Sequence, residues 1–189
     1  MDTVTICNLA LTAAGIPAIT SLEDENNNAK LCKRFFPICR DRVLRDHFWS
    51  FATKFTELPR AAKDSPDSEY PVRCYLPGDV VRVIKLLDGS AFRRAGREIF
   101  VKNYPVTLVY ISKVADPDLY DSCFVEALQN LLSAELCLAA SRDIRMAQYF
   151  RTEYDKKLAI ARSIDSQENS HVYQKKDSGS SFIRARRGC

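Results

Sequence analysis

The chain has 189 residues, 46% of them apolar and 28% charged, and its 28 Lys and Arg against 24 Asp and Glu leave a net charge of +4. This is the composition of an ordinary soluble globular protein, with the length of one domain or one domain plus an appendage. It excludes a disordered chain, a collagen and a membrane channel, and the charge excess alone is too small to mark a nucleic-acid binder.

Thr3 to Leu22 carries no charge over 20 residues, the length of a bilayer span. Only 12 of the 20 are apolar, Gly15 and Pro17 interrupt the run, and no Lys or Arg precedes it, so neither a membrane span nor a targeting sequence is expected. Thr3 instead can cap a short helix bearing Val4, Ile6, Leu9, Ala10 and Ala13 at helical spacing, stopped by Gly15 and Pro17. A polar linker from Ser21 to Asn28 follows. A second helix is predicted from about Asn28 to His47, with Ala29, Cys32, Phe36, Cys39 and Val43 in one stripe. Lys30, Lys33, Arg34, Arg40, Asp41, Arg42, Arg45 and Asp46 occupy its other faces, and Pro37 should kink it. Phe48, Trp49, Phe51 and Phe55 read as an aromatic plug at the helix end. Residues 57–71 are rich in Pro, Ser and charge and read as an exposed loop.

The middle third is strand-like. Asp79 to Leu87 is β-branched, Asp88-Gly89-Ser90 is a turn, Glu98 to Val101 is a short strand, and Val106 to Ser112 alternates with both faces apolar. These predict an antiparallel sheet of three or four strands. After Asp116-Pro117-Asp118 the pattern returns to helix, with Phe124, Leu128, Leu131 and Leu132 on one side as far as about Ala140. Ser141 can cap a last helix from Arg142 to about Ile164 carrying Met146, Phe150, Tyr154, Leu158 and Ala161. From Asp165 the pattern fails, and a polar tail with five basic and three acidic residues should be disordered or extended. The expected fold is therefore mainly α: a helical bundle over residues 1–164, a small antiparallel sheet inserted at about 73–112, and an extended tail over 165–189.

The chemistry is sparse. Seven cysteines, an odd number with no C-x-x-C pair, read as reduced buried thiols, and two histidines, His47 and His171, offer no zinc spacing. No P-loop, G-x-G-x-x-G, G-x-S-x-G or H-E-x-x-H occurs. His47 beside Trp49 reads as a core or cap residue. Glu126 and Glu135, nine residues apart on one helix, point roughly 180° apart at 100° per residue and read as salt-bridged rather than as a catalytic pair. No catalytic, cofactor-binding or metal site is expected. Residues 73–102 hold seven basic residues, Arg73, Arg82, Lys85, Arg93, Arg94, Arg97 and Lys102, against Asp79, Asp88 and Glu98, an excess of +4. Read as a functional surface, Arg82, Lys85, Arg93, Arg94 and Arg97 are candidates to face DNA in a channel; read as structure, they are a solvated sheet face.

Several segments carry a family likeness. Cys7-Asn8-Leu9-Ala10-Leu11, Gly15 and Ile19-Thr20-Ser21-Leu22 precede Phe36-Pro37, Arg40-Asp41, Val43-Leu44-Arg45, His47, Trp49 and Phe51-Ala52. Then come Leu76-Pro77, Asp79, Arg82-Val83, Asp116-Pro117, Phe124-Val125-Glu126-Ala127-Leu128 and Ala134-Glu135-Leu136. In order and spacing, over about residues 4–164, these segments resemble the tailed-phage head-to-tail adaptor family, which includes the tail tubular protein A of short-tailed phages. Phe48 and Ser50 depart from the Pro and Asn that often flank the family's Trp, and the loop at 57–71 and the tail are unmatched.

The resemblance implies a structural virion protein at the head–tail interface, made in the host cytoplasm. It implies a helical bundle with a small β insertion, assembled as a twelve-subunit homo-oligomeric ring beneath the portal protein, receiving the tail nozzle or the next tail protein, with packaged DNA passing through. The C-terminal segment would reach along the portal, here through Lys175, Lys176, Phe182, Arg184, Arg186 and Arg187. No enzyme activity, cofactor or membrane contact is implied. The alternatives are a peptidoglycan hydrolase (muramidase) activity, ascribed to some relatives of the family, and a DNA-binding regulator using the Lys30–Arg45 helix.

Overall fold

A computed structural model describes residues 1–173, with side chains placed as far as Ile164 and at Gln167. The expected mainly α bundle is corrected by what it contains. Among the described residues, helices α1 (Thr3–Ala13), α2 (Asn27–Asp46), α3 (Ser122–Leu136) and α4 (Ile144–Tyr173) accompany six strands in two three-stranded antiparallel sheets. The protein is mixed α/β. The strands are β1 (Thr53–Glu57), β2 (Val72–Tyr75), β3 (Val80–Leu86), β4 (Phe92–Ala95), β5 (Glu98–Val101) and β6 (Thr107–Ser112). One sheet has the order β1-β6-β3 and the other β2-β5-β4.

The helix ends show which local chemistry prevails. The α1 cap is Asp2 rather than Thr3, its Oδ1 accepting from the Thr5 amide at 2.8 Å. Asn26 caps α2 through the Ala29 amide at 2.8 Å, and Pro37 lies within that helix. After α3 a π turn spans Cys137–Ser141, with Ser141 Oγ donating to the Cys137 carbonyl. Asp143, not Ser141, then caps α4 by accepting from the Met146 amide, and Arg142 turns the corner at φ 55°. The α4 backbone runs on to Tyr173, nine residues past the end of its apolar pattern.

The layers follow from who shares β6. The helical core joins α1, α2, α3 and α4 through Ile6, Leu11, Phe36, Leu44, Leu128 and Leu158, and Ile111 of β6 closes it from the sheet side. Leu108 and Tyr110, on the opposite face of β6, pack instead with Cys74, Ile99 and Val101 of the second sheet. The order is thus helices, first sheet, second sheet. A strand between two cores must be apolar on both faces, which is why Thr107–Ser112 is almost wholly buried. Two irregularities in β3, between Val80 and Arg82 and between Val83 and Lys85, turn Val81 and Ile84 toward the helices while Val83 and Leu86 stay with the second sheet.

The segment at 57–71 also needs correction. It is not simply exposed: Leu58, Ala61 and Tyr70 are buried, and residues 59–61 run along the outer edge of β2 through Ala61 N to Arg73 O and Tyr75 N to Pro59 O. Phe55, placed in the aromatic plug by sequence, lies on β1 and is 62% exposed. Ser122–Ser141 is long and apolar enough to cross a membrane, yet half of it is buried in the helical core, as a core helix requires.

Candidate functional site

The basic residues of the middle third are distributed by strand alternation, and they do not share one face. Arg93 stands opposite Phe100, which stands opposite Arg73, so these three form one cross-strand row on the outer face of the second sheet. Arg94 belongs to the next row, with Ile99 and Cys74, on the face turned to the inter-sheet core. Neighbours in a strand point to opposite sides.

Arg93 is neutralised. Its guanidinium reaches Asp67 at 2.6 Å and Glu69 at 3.0 Å and lies over the Tyr70 ring, 5.1 Å from the centroid. Lys102 joins the same cluster through Glu69 at 3.6 Å and the Tyr70 ring at 5.3 Å. The loop from Ser65 to Tyr70 therefore folds its acids back over the basic sheet. Arg73 pairs with Glu98, which raises the arginine's pKa through the hydrogen bond. These partners were legible only in part: acids two residues apart, Asp67 and Glu69, are visible in the sequence, but their match to Arg93 needs the fold.

Arg82 is tied to the helical layer. It pairs across with Ile111, stacks over the Phe48 ring at 4.3 Å, and donates to the Arg45 carbonyl at 2.9 Å, while Arg45 donates back to Val81 O at 3.3 Å. The half-exposed Phe48, which the sequence assigned to a core plug, is the stacking platform of this joint. Lys85 stands opposite Val109 and is exposed. Among the described residues, Lys85, Arg94 and Arg97 have no acidic partner.

Arg94 and Arg97 are brought together. They line one cleft of about 210 Å³ with Leu76, Pro77, Gly78 and Val80. Gly96, at φ 58°, makes the two-residue turn between β4 and β5, a position at which a Cβ would be strained. Arg94 Nε donates to the Gly96 carbonyl at 3.2 Å, and an Arg97 Nη lies 3.6 Å from where a Cβ on Gly78 would stand. Asp79, which adjoins Gly78 in sequence, is held elsewhere by Lys54 at 2.8 Å and the Tyr110 hydroxyl at 3.1 Å. Burial works to raise the Asp79 pKa, but those two bonds outweigh it and leave it below the ordinary carboxylate value.

The other residues singled out by sequence are structural. His47 packs edge-on to Trp49 at 4.8 Å and lines a cleft of about 200 Å³ with Phe51, Asp121, Cys123 and Ile164. Glu126 is paired with Lys157 at 2.8 Å and Glu135 with Arg151 at 3.2 Å, so each joins α3 to α4. On α2, Arg40 is buried beside Asp41, and Lys33 pairs with Glu23. Among the buried thiols, a hydrogen bond with Cys32, together with burial, pushes Cys7 up, the same bond lowers Cys32, and burial pushes Cys39 up to about 12. Among the described residues no cluster of His, Cys, Asp or Glu could hold a metal ion. Lys175, Lys176, Phe182, Arg184, Arg186 and Arg187 lie outside the described residues. No known family model matches the chain, and no curated protein matches it.

Proposed function

We propose that this chain is one subunit of a head-to-tail adaptor ring in a tailed-phage virion. It would sit between the portal and the tail nozzle or next tail component, with the genome passing through the ring and the C-terminal segment reaching the portal. The reading rests on the family resemblance, and one observation supports it most. Residues that carry the resemblance from distant parts of the chain meet in a single core: Cys7, Phe36, Leu44, Trp49, Phe124 and Leu136. Those six residues are core-forming, which supports reading the likeness as one of scaffold.

Other matched residues act as braces of that scaffold. The Asn8 amide pins both backbone groups of Ile19 at 2.8 Å, and Asp79 anchors Lys54 and Tyr110. Most carboxylates among the described residues are engaged by internal cations or caps, which leaves the positive excess available to an anionic partner such as DNA. Repetition around a ring would multiply that excess and each weak contact.

The test is a phage carrying a stop codon in this gene. Adaptor function predicts DNA-filled heads without tails, restored by the full-length chain, and about twelve copies of the protein per wild-type particle, as a closed cyclic ring requires. Complementation by a chain ending at Tyr173 should fail. Finished infectious particles that lack the protein would refute the proposal.

A further inference from the structure

We infer that Arg94 and Arg97, which line one cleft with Pro77 and Gly78, bind phosphate groups of the duplex DNA backbone. The inference rests on the adaptor reading for its choice of ligand; the phosphate-binding chemistry is drawn from the cleft itself.

Five basic residues were candidates, and the fold disposes of three. Arg93 is doubly ion-paired, and a DNA phosphate would have to displace Asp67 and Glu69 to reach it. Arg82 is stacked on Phe48 and bonded to the Arg45 carbonyl. Lys85 stands on the other sheet, in the row of Val109, apart from the two arginines of the second sheet. Arg94 and Arg97 remain, two guanidinium groups without a carboxylate partner, at the rim of the same cleft.

The cleft is arranged for an oxyanion. Its remaining walls, Leu76, Pro77, Gly78 and Val80, bring no charge and no competing side-chain acceptor. Glu98 and Asp79, the acids nearest in sequence, are each committed to another cation. Both arginines start from a hairpin whose turn is fixed by Gly96, and the bond from Arg94 Nε to the Gly96 carbonyl orients one guanidinium in advance. A planar guanidinium offers paired donors that match two oxygens of a phosphate, and pre-orientation lowers the entropy lost on binding.

The experiment uses the full-length chain and a fluorescein-labelled duplex of about 20 base pairs, with affinity measured by anisotropy between about 50 and 200 mM chloride. Wild type should bind with a salt-dependent affinity. Arg94→Gln with Arg97→Gln should bind about tenfold more weakly, and its log–log salt slope should fall by about 2, one for each phosphate released. The Arg94→Lys, Arg97→Lys variant should keep most of that slope, which separates charge loss from misfolding. Arg93→Gln should leave affinity and slope unchanged. Thermal melting checks that each variant folds.

Absence of wild-type binding at the lowest salt, an unchanged slope in the double Gln variant, or an equal loss in Arg93→Gln would overturn the inference. So would displacement of the duplex by inorganic phosphate at matched ionic strength, since the cleft would then be a small-anion site. None of these results touches the virion assay: particles that still need the chain while the double variant binds DNA normally would refute the cleft and leave the adaptor reading standing.

Discussion

Trp49 shows how much one side chain can organise. Its indole donates to the Val43 carbonyl at 2.8 Å, meets Phe124 edge-on at 5.1 Å, and is 3% exposed. Trp49→Ala should cost about 3–5 kcal/mol. The loss should be read by circular dichroism in denaturant, because this is the chain's one Trp and its fluorescence goes with it. Tyr154 makes a pH-dependent counterpart. Burial, and then its 2.7 Å hydrogen bond to Asp46, raise its pKa, so the folded chain keeps a proton that the unfolded chain releases near about pH 10. The unfolded state then binds fewer protons, and stability falls as pH rises past that point. Tyr154→Phe lacks this loss. It should be less stable than wild type at about pH 8, by about 1 kcal/mol, and the gap should narrow above about pH 10; denaturant midpoints at the two pH values check it. The cysteines add a third case at this scale. Among the described residues five thiols are buried and Cys123 is half-buried. In a Cys189→Ser background, a thiol reagent should label Cys123 in the native protein and the other five only on unfolding.

At the level of elements, periodicity was a good guide where an element finds its partners locally and a poor one elsewhere. The stripe Ala29, Cys32, Phe36, Cys39 and Val43 placed α2 within a residue at each end, because a 20-residue amphipathic pattern outvotes Pro37. Strands β3, β5 and β6 were also legible. Strands β1, β2 and β4 were not: β1 and β2 are four or five residues long and defined by distant pairing, as in Thr53 with Ile111 or Val72 with Val101, and β4, though paired locally with β5, carries Arg93 and Arg94 where an apolar alternation would have marked it. Of the candidate interface, the sequence supplied the basic residues but not their sorting, which depends on strand rows and on the loop acids. That loop gives a prediction. Asp67→Ala with Glu69→Ala releases its hold on Arg93 and Lys102, and exposed ion pairs contribute little globally, so the melting point should barely move. Trypsin should nonetheless cut at Lys63 markedly faster than in wild type, seen as an early pair of fragments.

For the molecule as a whole, the charge and the layering belong together. Asp41 ties neighbouring elements together through Arg40 and Lys113, whereas Arg94 and Arg97 of the second sheet and Lys85 of the first have no acidic partner among the described residues. The wall that β6 provides between the two hydrophobic cores has a thermal consequence. Leu108 and Ile111, three residues apart on one strand, point to opposite faces and anchor different cores, so neither core can lose its order while the other keeps a lining. Heating should therefore give one endotherm whose calorimetric and van't Hoff enthalpies coincide, and helical and sheet amides should exchange their slowest hydrogens through the same opening.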